Sequence, residues 1–113
     1  MNEEAKKVDE AYKEQVEREK KEAEDGLKNY YEPTFSLFLS SLSMQAMIFL
    51  GKIENPISKK IEKNLDQARF LIDTLGILKE KTKNNLTKEE ERLLDEYLFN
   101  LRMLYVEEKS KSL

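Results

Sequence analysis

The chain contains no histidine and no cysteine, and only three of its 113 residues are glycine. Without histidine, the commonest general base, the usual serine triads and every imidazole metal site are excluded. Without cysteine, disulfides, thiol nucleophiles and thiolate metal sites are excluded as well. The glycines, Gly26, Gly51 and Gly76, are isolated from one another, so no glycine-rich phosphate loop is present. The sequence therefore predicts a protein that is not an enzyme and has no catalytic, cofactor-binding or metal-binding residues.

The sequence also lacks an excess of one charge. Its 20 basic and 23 acidic residues are intermixed and give a net charge of -3, so neither nucleic acid nor an anionic membrane surface is expected as a partner. No small-molecule substrate is evident either. The first ten residues, MNEEAKKVDE, lack the basic region and apolar run of a secretion signal. A cytoplasmic location is the resulting expectation.

Leucine, glutamate and lysine are abundant and proline is scarce, a composition that predicts an all-α protein. We expect a small three-helix core, a helical bundle, over residues 34–108, followed by a short C-terminal tail at 109–113. Residues 1–33 form a charged N-terminal helix or flexible arm with its linker. Acidic residues four positions before basic ones support a solvated helix there, while sparse apolar positions leave a short coiled-coil contact open.

The first core helix is predicted from a segment without charge, Thr34 to Gly51 (TFSLFLSSLSMQAMIFLG). Thr34 is a suitable N-cap and Gly51 a left-handed stop, so the helix should run to Leu50. A segment this apolar must be removed from water somewhere. Helical periodicity predicts that one apolar side of this helix faces the core. The residues on that side are Phe35, Phe38, Leu39, Leu42, Ala46, Phe49 and Leu50.

A loop over residues 52–63 should be held down by its isoleucines, Ile53, Ile57 and Ile61. The second helix then starts with Asn64 as its cap and runs to about Lys83, although a start near Ser58 is left open. Gly76 within it suggests close packing of a neighbouring backbone. The inward positions of this helix are Leu65, Ala68, Leu71, Ile72, Leu75 and Leu78.

Thr87 and Glu90 have the spacing of a capping box, which predicts a third helix from there to about Glu108. Acidic residues cluster on its first turns. A carboxylate metal site is one interpretation of that cluster, but a helix start with a solvated face explains it without a metal. The acidic residues are Glu89, Glu90, Glu91, Asp95 and Glu96, and the inward positions are Leu93, Leu94, Tyr97, Leu98, Leu101, Leu104 and Tyr105.

Each core helix carries apolar residues beyond its inward face. On the first helix small serines separate the two apolar sides and would let another helix approach closely. Surplus apolar faces commonly mark an interface, so we expect a homo-oligomer, with a dimer favoured, or binding to a different protein. The candidate interface residues are Leu37, Met44, Ile48, Phe70, Ile77, Phe99, Met103 and Val106.

Membrane association through residues 34–50 is the alternative for the uncharged helix. At 17 residues this segment is at the short limit for a span of about 20 residues. Four serines, Thr34 and Gln45 argue against it, because hydroxyl and amide groups in lipid need partners. No basic cluster or aromatic belt flanks the segment.

Four short motifs resemble a known family. They are Phe35-x-x-Phe38-x-x-Ser41-Leu42, the turn Leu50-Gly51-Lys52-Ile53, the helix segment Ile72-Asp73-Thr74-Leu75, and the connection Lys81-Thr82-Lys83-Asn84-Asn85-Leu86-Thr87. Together they resemble the bacterial domain-of-unknown-function family numbered eighteen forty-four, over about residues 34–106. The resemblance implies a small soluble bacterial protein and supplies no activity. The charged arm before Tyr30 lies outside the shared region.

Overall fold

The computed structural model describes Glu10, residues 13–21 and residues 30–111. The chain divides into two compact units, residues 1–33 and residues 34–113. In the first unit, Glu10 and residues 13–21 are helical and residues 30–33 are not. The remainder of the predicted N-terminal arm lies outside the described residues.

Three helices form the second unit: α1 (Phe35–Phe49), α2 (Leu65–Lys81) and α3 (Lys88–Lys111). Each of them packs against the other two. The described ranges contain helices, turns and loops but no strand, and the all-α helical-bundle prediction is confirmed. α3 extends three residues beyond the predicted end at Glu108, and α2 ends two residues before Lys83.

The ends of α1 follow local rules. The side chain of Thr34 accepts a hydrogen bond from the backbone N–H of Leu37 at 3.0 Å and thereby caps the N-terminus. At the other end Gly51 has a φ of 79°. The N–H of Lys52 bonds to the carbonyl of Met47, and that of Gly51 to the carbonyl of Ile48. This pair of bonds is the Schellman ending that a left-handed glycine permits.

The starts of α2 and α3 are also capped as the sequence predicts. The Asn64 side chain accepts from the N–H of Gln67, so α2 begins at Leu65 and not near Ser58. At α3 the capping box is complete. The Glu90 N–H donates to the Thr87 hydroxyl at 3.1 Å, and the Thr87 N–H donates to the Glu90 carboxylate at 2.9 Å.

The core of the bundle is aliphatic with one tyrosine. Tyr97, Leu39, Leu50, Leu75, Leu94 and Leu101 are its largest fully buried apolar side chains. Phe38, predicted to face inward, is 46% exposed, whereas Met47 and Ser43 on the same helix are buried. Because α1 is apolar on nearly every side, the spacing of its apolar residues does not show which side faces the core. The side that does face the core includes Met47 and Ser43 and excludes Phe38.

Two of the three isoleucines predicted to hold down the loop at residues 52–63 do not do so, while Ile53 is half-buried. Ile57 is 92% exposed and Ile61 is also exposed. Asn55 organises the loop instead: its side-chain oxygen accepts from the N–H of Ile57, and its amide donates to the carboxylate of Glu62. The Asn55 backbone N–H bonds in turn to the carbonyl of Lys60. The hydrogen bonds of Asn55 therefore stabilise the part of the loop where Ile57 and Ile61 are exposed.

Gly76 does not mark the close backbone approach that the sequence suggests. A Cβ atom added there would meet only the end of the Arg102 side chain, at 3.4 Å. That guanidinium lies at the tip of a flexible side chain and can shift. The glycine is consequently not required by packing, a finding that stability measurements can check.

Candidate interaction surface

The eight candidate interface residues remain accessible on the described unit. Six are exposed, from 40% at Leu37 to 68% at Phe70, while Met44 and Ile48 on α1 are half-buried. Large apolar side chains in water lose the free energy that burial would provide, about 25 cal/mol per Å². These faces can therefore be stabilised by a further surface. The exposed six are Leu37, Phe70, Ile77, Phe99, Met103 and Val106.

The structure does not bring these residues into one patch. Phe70 and Ile77 are seven residues apart on α2, on the side opposite to its buried residues. Phe99 and Val106, with Met103 next to them, occupy the equivalent side of α3. Helices packed around one core direct such faces outward in different directions. The candidate residues thus form three separate stripes, one on each helix.

The stripe on α1 is flanked by small and uncharged residues. Ser41, exposed beside Leu37 and Met44, donates its hydroxyl to the backbone carbonyl of Phe38 at 2.7 Å. That bond satisfies the hydroxyl within its own helix. No residue of α1 carries a charge. The surface of α1 is therefore apolar or weakly polar even where it meets solvent.

Phe38 is part of the exposed surface of α1, although the sequence pattern predicted that it would face the core. Its ring lies 6.5 Å from that of Phe35, at an interplanar angle of 56°. Such tilted aromatic pairs are favourable geometries. The sequence offered no signal for the exposure, because α1 has apolar residues on nearly every side.

The stripes on α2 and α3 have charged neighbours. Arg69 and Asp73 pair at 3.6 Å beside Phe70 on α2. On α3, Arg92 donates to the carboxylate of Glu96 at 3.0 Å, one turn before Phe99. These solvent-exposed pairs contribute little to stability, but any surface that covers the stripes must also accommodate their charges.

Three of the five acidic residues at the start of α3, Glu90, Asp95 and Glu96, take part in a cap or an ion pair. Glu90 closes the capping box with Thr87, and Asp95 lies 2.7 Å from the ammonium of Lys79. An open depression of about 500 Å³ beside Phe99 is lined by residues of both signs. Within Glu10, residues 13–21 and residues 30–111, no group of three acidic residues is arranged to hold a metal ion.

Sequence reasoning missed the buried charge of Glu108 on α3. Its carboxylate lies 2.7 Å from the ammonium of Lys63, 3.0 Å from that of Lys52 and 3.3 Å from that of Lys111. Burial opposes ionisation, but the hydrogen bonds from Lys63, Lys52 and Lys111 outweigh it and lower the pKa of Glu108 from 4.5 to about 2. The hydrogen bond to Glu108 and the negative charge of that carboxylate raise the pKa of Lys111.

The Glu108 cluster fastens the loop to the end of α3. Its members are up to 59 positions apart in sequence, from Lys52 to Lys111, so no local pattern indicates it. Gly51 assists, since its missing side chain leaves room for the stem of Lys63 at 3.4 Å from an added Cβ. We assign the cluster a role in positioning the loop, with no chemistry of its own.

No helix in the described part of the chain is both long and apolar enough to cross a membrane. α1, the most apolar of the three core helices, has 15 residues.

The comparisons with known proteins point to one family. The family model for a domain of unknown function, DUF1844, matches residues 32–107, which include all three helices except the last turn of α3. No curated protein and no solved structure matches the chain. Because the match covers most of the sequence, the chain belongs to the DUF1844 family.

Proposed function

We propose that this protein is a non-enzymatic helical interaction module that self-associates through an exposed apolar helix face. The observation that carries the proposal is the state of α1, a helix without charge on which Leu37 is exposed and Met44 and Ile48 are only half-buried. A second copy of the chain is the simplest surface that could cover it. A different protein that uses the same face would meet the same physical requirement.

The chemical inventory supports a non-catalytic role. The sequence offers no imidazole or thiol as a base or nucleophile. The Ser40 hydroxyl lies 2.8 Å from that of Tyr97, and Ser41 bonds to its own helix. A tyrosine hydroxyl and a backbone carbonyl are not bases that would activate these serines as nucleophiles.

The test introduces one charge on each stripe of the full chain. Met44→Glu, Phe70→Glu and Phe99→Glu are compared with Gln67→Glu, which adds the same charge at an exposed polar position. Multi-angle light scattering then gives the mass of each variant at high concentration. We expect a wild-type mass above 13.4 kDa, lowered by one of the three stripe variants and unchanged by Gln67→Glu. A monomeric wild type, or a dimer that none of the three weakens, contradicts the proposal.

A further inference from the structure

We propose that the turn of residues 55–60, in the loop between α1 and α2, docks on an anionic lipid surface. In this arrangement Ile57 enters the headgroup region, and the ammonium groups of Lys59 and Lys60 pair with the lipid phosphates. The protein stays outside the hydrocarbon core, so docking needs no membrane-spanning helix. The proposal concerns a different part of the molecule from the apolar face of α1.

Ile57 is held in water by a turn that is closed on itself. It is 92% exposed, more than any other large apolar residue in the described part of the chain. The backbone N–H of Lys59 bonds to the carbonyl of Asn55 at 2.8 Å, and the N–H of Asn55 bonds to the carbonyl of Lys60 at 2.9 Å. A turn closed in this way keeps Ile57 away from the bundle, so an external surface must cover this side chain if it is to leave water.

The backbone of the turn suits a region with little water. Pro56 has no N–H, and the N–H groups of the next two residues donate to the Asn55 side-chain oxygen at 2.9 and 3.4 Å. The N–H of Lys59 closes the turn, and that of Lys60 donates to the Ser58 hydroxyl at 3.4 Å. Every backbone N–H of this turn is therefore paired within it. Unpaired donors are costly in lipid, and this turn brings none.

Two lysines accompany the apolar tip. Lys59 and Lys60 are exposed, and neither forms an ion pair within the described ranges of the chain. Two acids flank the turn in sequence, Glu54 and Glu62, and the second of these accepts a hydrogen bond from the Asn55 amide at 2.9 Å. An apolar tip beside unpaired ammonium groups complements a surface that is anionic at its headgroups and apolar just beneath them.

The base of the loop fixes the turn to the bundle. The N–H of Asn64 bonds to the carbonyl of Phe49 at 2.8 Å, which holds the two ends of the loop together. Lys52 and Lys63 then pair with the carboxylate of Glu108 on α3. Docking therefore requires no folding of the loop, and the entropy cost of ordering it does not oppose binding.

The size of the turn favours a bilayer over a protein partner. Burial of one isoleucine removes on the order of 100 Å² from water, far less than the roughly 800 Å² that each partner contributes to a stable protein interface. A bilayer covers an isolated tip without a complementary pocket. The net charge of -3 gives no reason to expect an anionic membrane, but that sum averages over the whole chain, whereas the structure sets two lysines beside Ile57.

Vesicle sedimentation of the full chain tests the proposal. A single myristoyl chain gives an association constant of about 10⁴ M⁻¹, and one isoleucine offers less apolar surface, so the lipid is used at millimolar concentration. One set of vesicles contains phosphatidylserine and phosphatidylcholine in equal parts, and the other contains phosphatidylcholine alone. We expect wild type to bind the anionic vesicles several-fold more than the neutral ones, and to be released by high salt.

Substitutions in the turn should weaken this binding. Ile57→Ser removes most of the apolar side chain, and the double variant Lys59→Gln/Lys60→Gln removes both charges. Each should lower the bound fraction several-fold. Ile57→Leu and Lys59→Arg/Lys60→Arg keep the apolar surface and the charges, and should bind as wild type does. Circular dichroism should be the same for all four variants, because the altered side chains are exposed.

The control for net charge is Lys81→Gln/Lys83→Gln, which changes two exposed lysines near the end of α2 and should leave binding unchanged. If this variant loses as much binding as Lys59→Gln/Lys60→Gln, overall charge and not the turn attracts the vesicles, and the proposal fails. It fails equally if wild type stays in the supernatant, or if Ile57→Ser binds as well as wild type.

A fluorescent label identifies what covers the tip. The chain has no cysteine, so Ile57→Cys can carry a single environment-sensitive dye, with labelled Gln67→Cys as the control at an exposed polar position. Anionic vesicles should shift the emission to the blue for position 57 and not for position 67. A blue shift that instead grows with protein concentration in the absence of lipid would place a second copy of the chain over the tip and overturn the proposal.

Discussion

The ammonium of Lys63 lies 2.7 Å from the carboxylate of Glu108, across 45 residues of sequence. This ion pair joins the residue just before the N-cap of α2 to the last turns of α3. Lys52 reaches the same carboxylate from the end of the α1 turn. One buried acid therefore connects all three helices of the bundle, and its ionisation should govern stability at low pH.

We expect Glu108 to stabilise the fold in its ionised form. The folded-state pKa of about 2 lies below the ordinary 4.5, so the stabilisation is complete above pH 4.5 and is lost as pH falls toward 2. The pKa difference corresponds to at most about 3 kcal/mol. Solvent screening of the partly exposed Lys63 and Lys111 reduces this to about 2 kcal/mol. Urea unfolding of wild type and Glu108→Gln should therefore differ at neutral pH and converge in acid.

The matched control is Glu107→Gln, which removes the neighbouring exposed acid. Its pairing with Lys111 is longer, at 3.6 Å, and its effect should stay within about 0.5 kcal/mol. If Glu108→Gln and wild type keep a constant difference in stability from neutral pH to pH 2, the lysines do not act on an ionised Glu108.

The two glycines of the bundle should respond to alanine in opposite directions. Gly76→Ala should stabilise α2 by up to about 1 kcal/mol, because alanine favours the helix and the added Cβ meets only a flexible side chain. Gly51→Ala should destabilise by about 1 kcal/mol or more, because its φ of 79° disfavours a side chain. Chemical unfolding of both variants checks the pair, and a destabilised Gly76→Ala would restore the requirement for a glycine at that position.

The capping box of α3 should make a measurable contribution. Thr87→Ala removes the side-chain acceptor for the N–H of Glu90 and should cost about 1 kcal/mol. Thr74→Ala is the control, since its hydroxyl only bonds back to the carbonyl of Phe70 within α2. Equal unfolding free energies for the two variants would contradict a special role for the cap.

The hydroxyl pair between α1 and α3 should couple energetically. Ser40→Ala, Tyr97→Phe and the double variant form a cycle around the 2.8 Å contact. We expect a coupling of about 1 kcal/mol, measured by thermal or urea unfolding. Tyr105→Phe, on the same helix and half-buried, should show no coupling to Ser40→Ala. A zero coupling for Tyr97 would mean that the two hydroxyls do not stabilise the α1 contact.

The helix ends could be predicted because their chemistry is local. Thr34, Asn64 and Thr87 each bond to an N–H three residues ahead, and such spacings are visible in sequence. The inward faces of α2 and α3 could also be predicted from the sequence, because polar residues are frequent on the outer sides of these helices. Leu75 and Leu101 are buried as periodicity predicts.

The remaining features depend on tertiary structure or on weak contrast. Glu108 gains its lysines only when distant segments meet, and on sequence grounds it is one acid among 23. Phe38 is exposed and Met47 is buried. The sequence could not predict this difference, because α1 is apolar on nearly all sides and a small rotation of the helix about its axis changes which side faces the core. The exposed stripes were visible in the sequence, but only the structure shows that they point in different directions.

Sedimentation equilibrium of the full chain, across a dilution series from high to low micromolar concentration, tests self-association most directly. We predict a weight-average mass that falls toward 13.4 kDa on dilution and rises toward twice that value at high concentration. A mass of 13.4 kDa at every concentration would contradict the account.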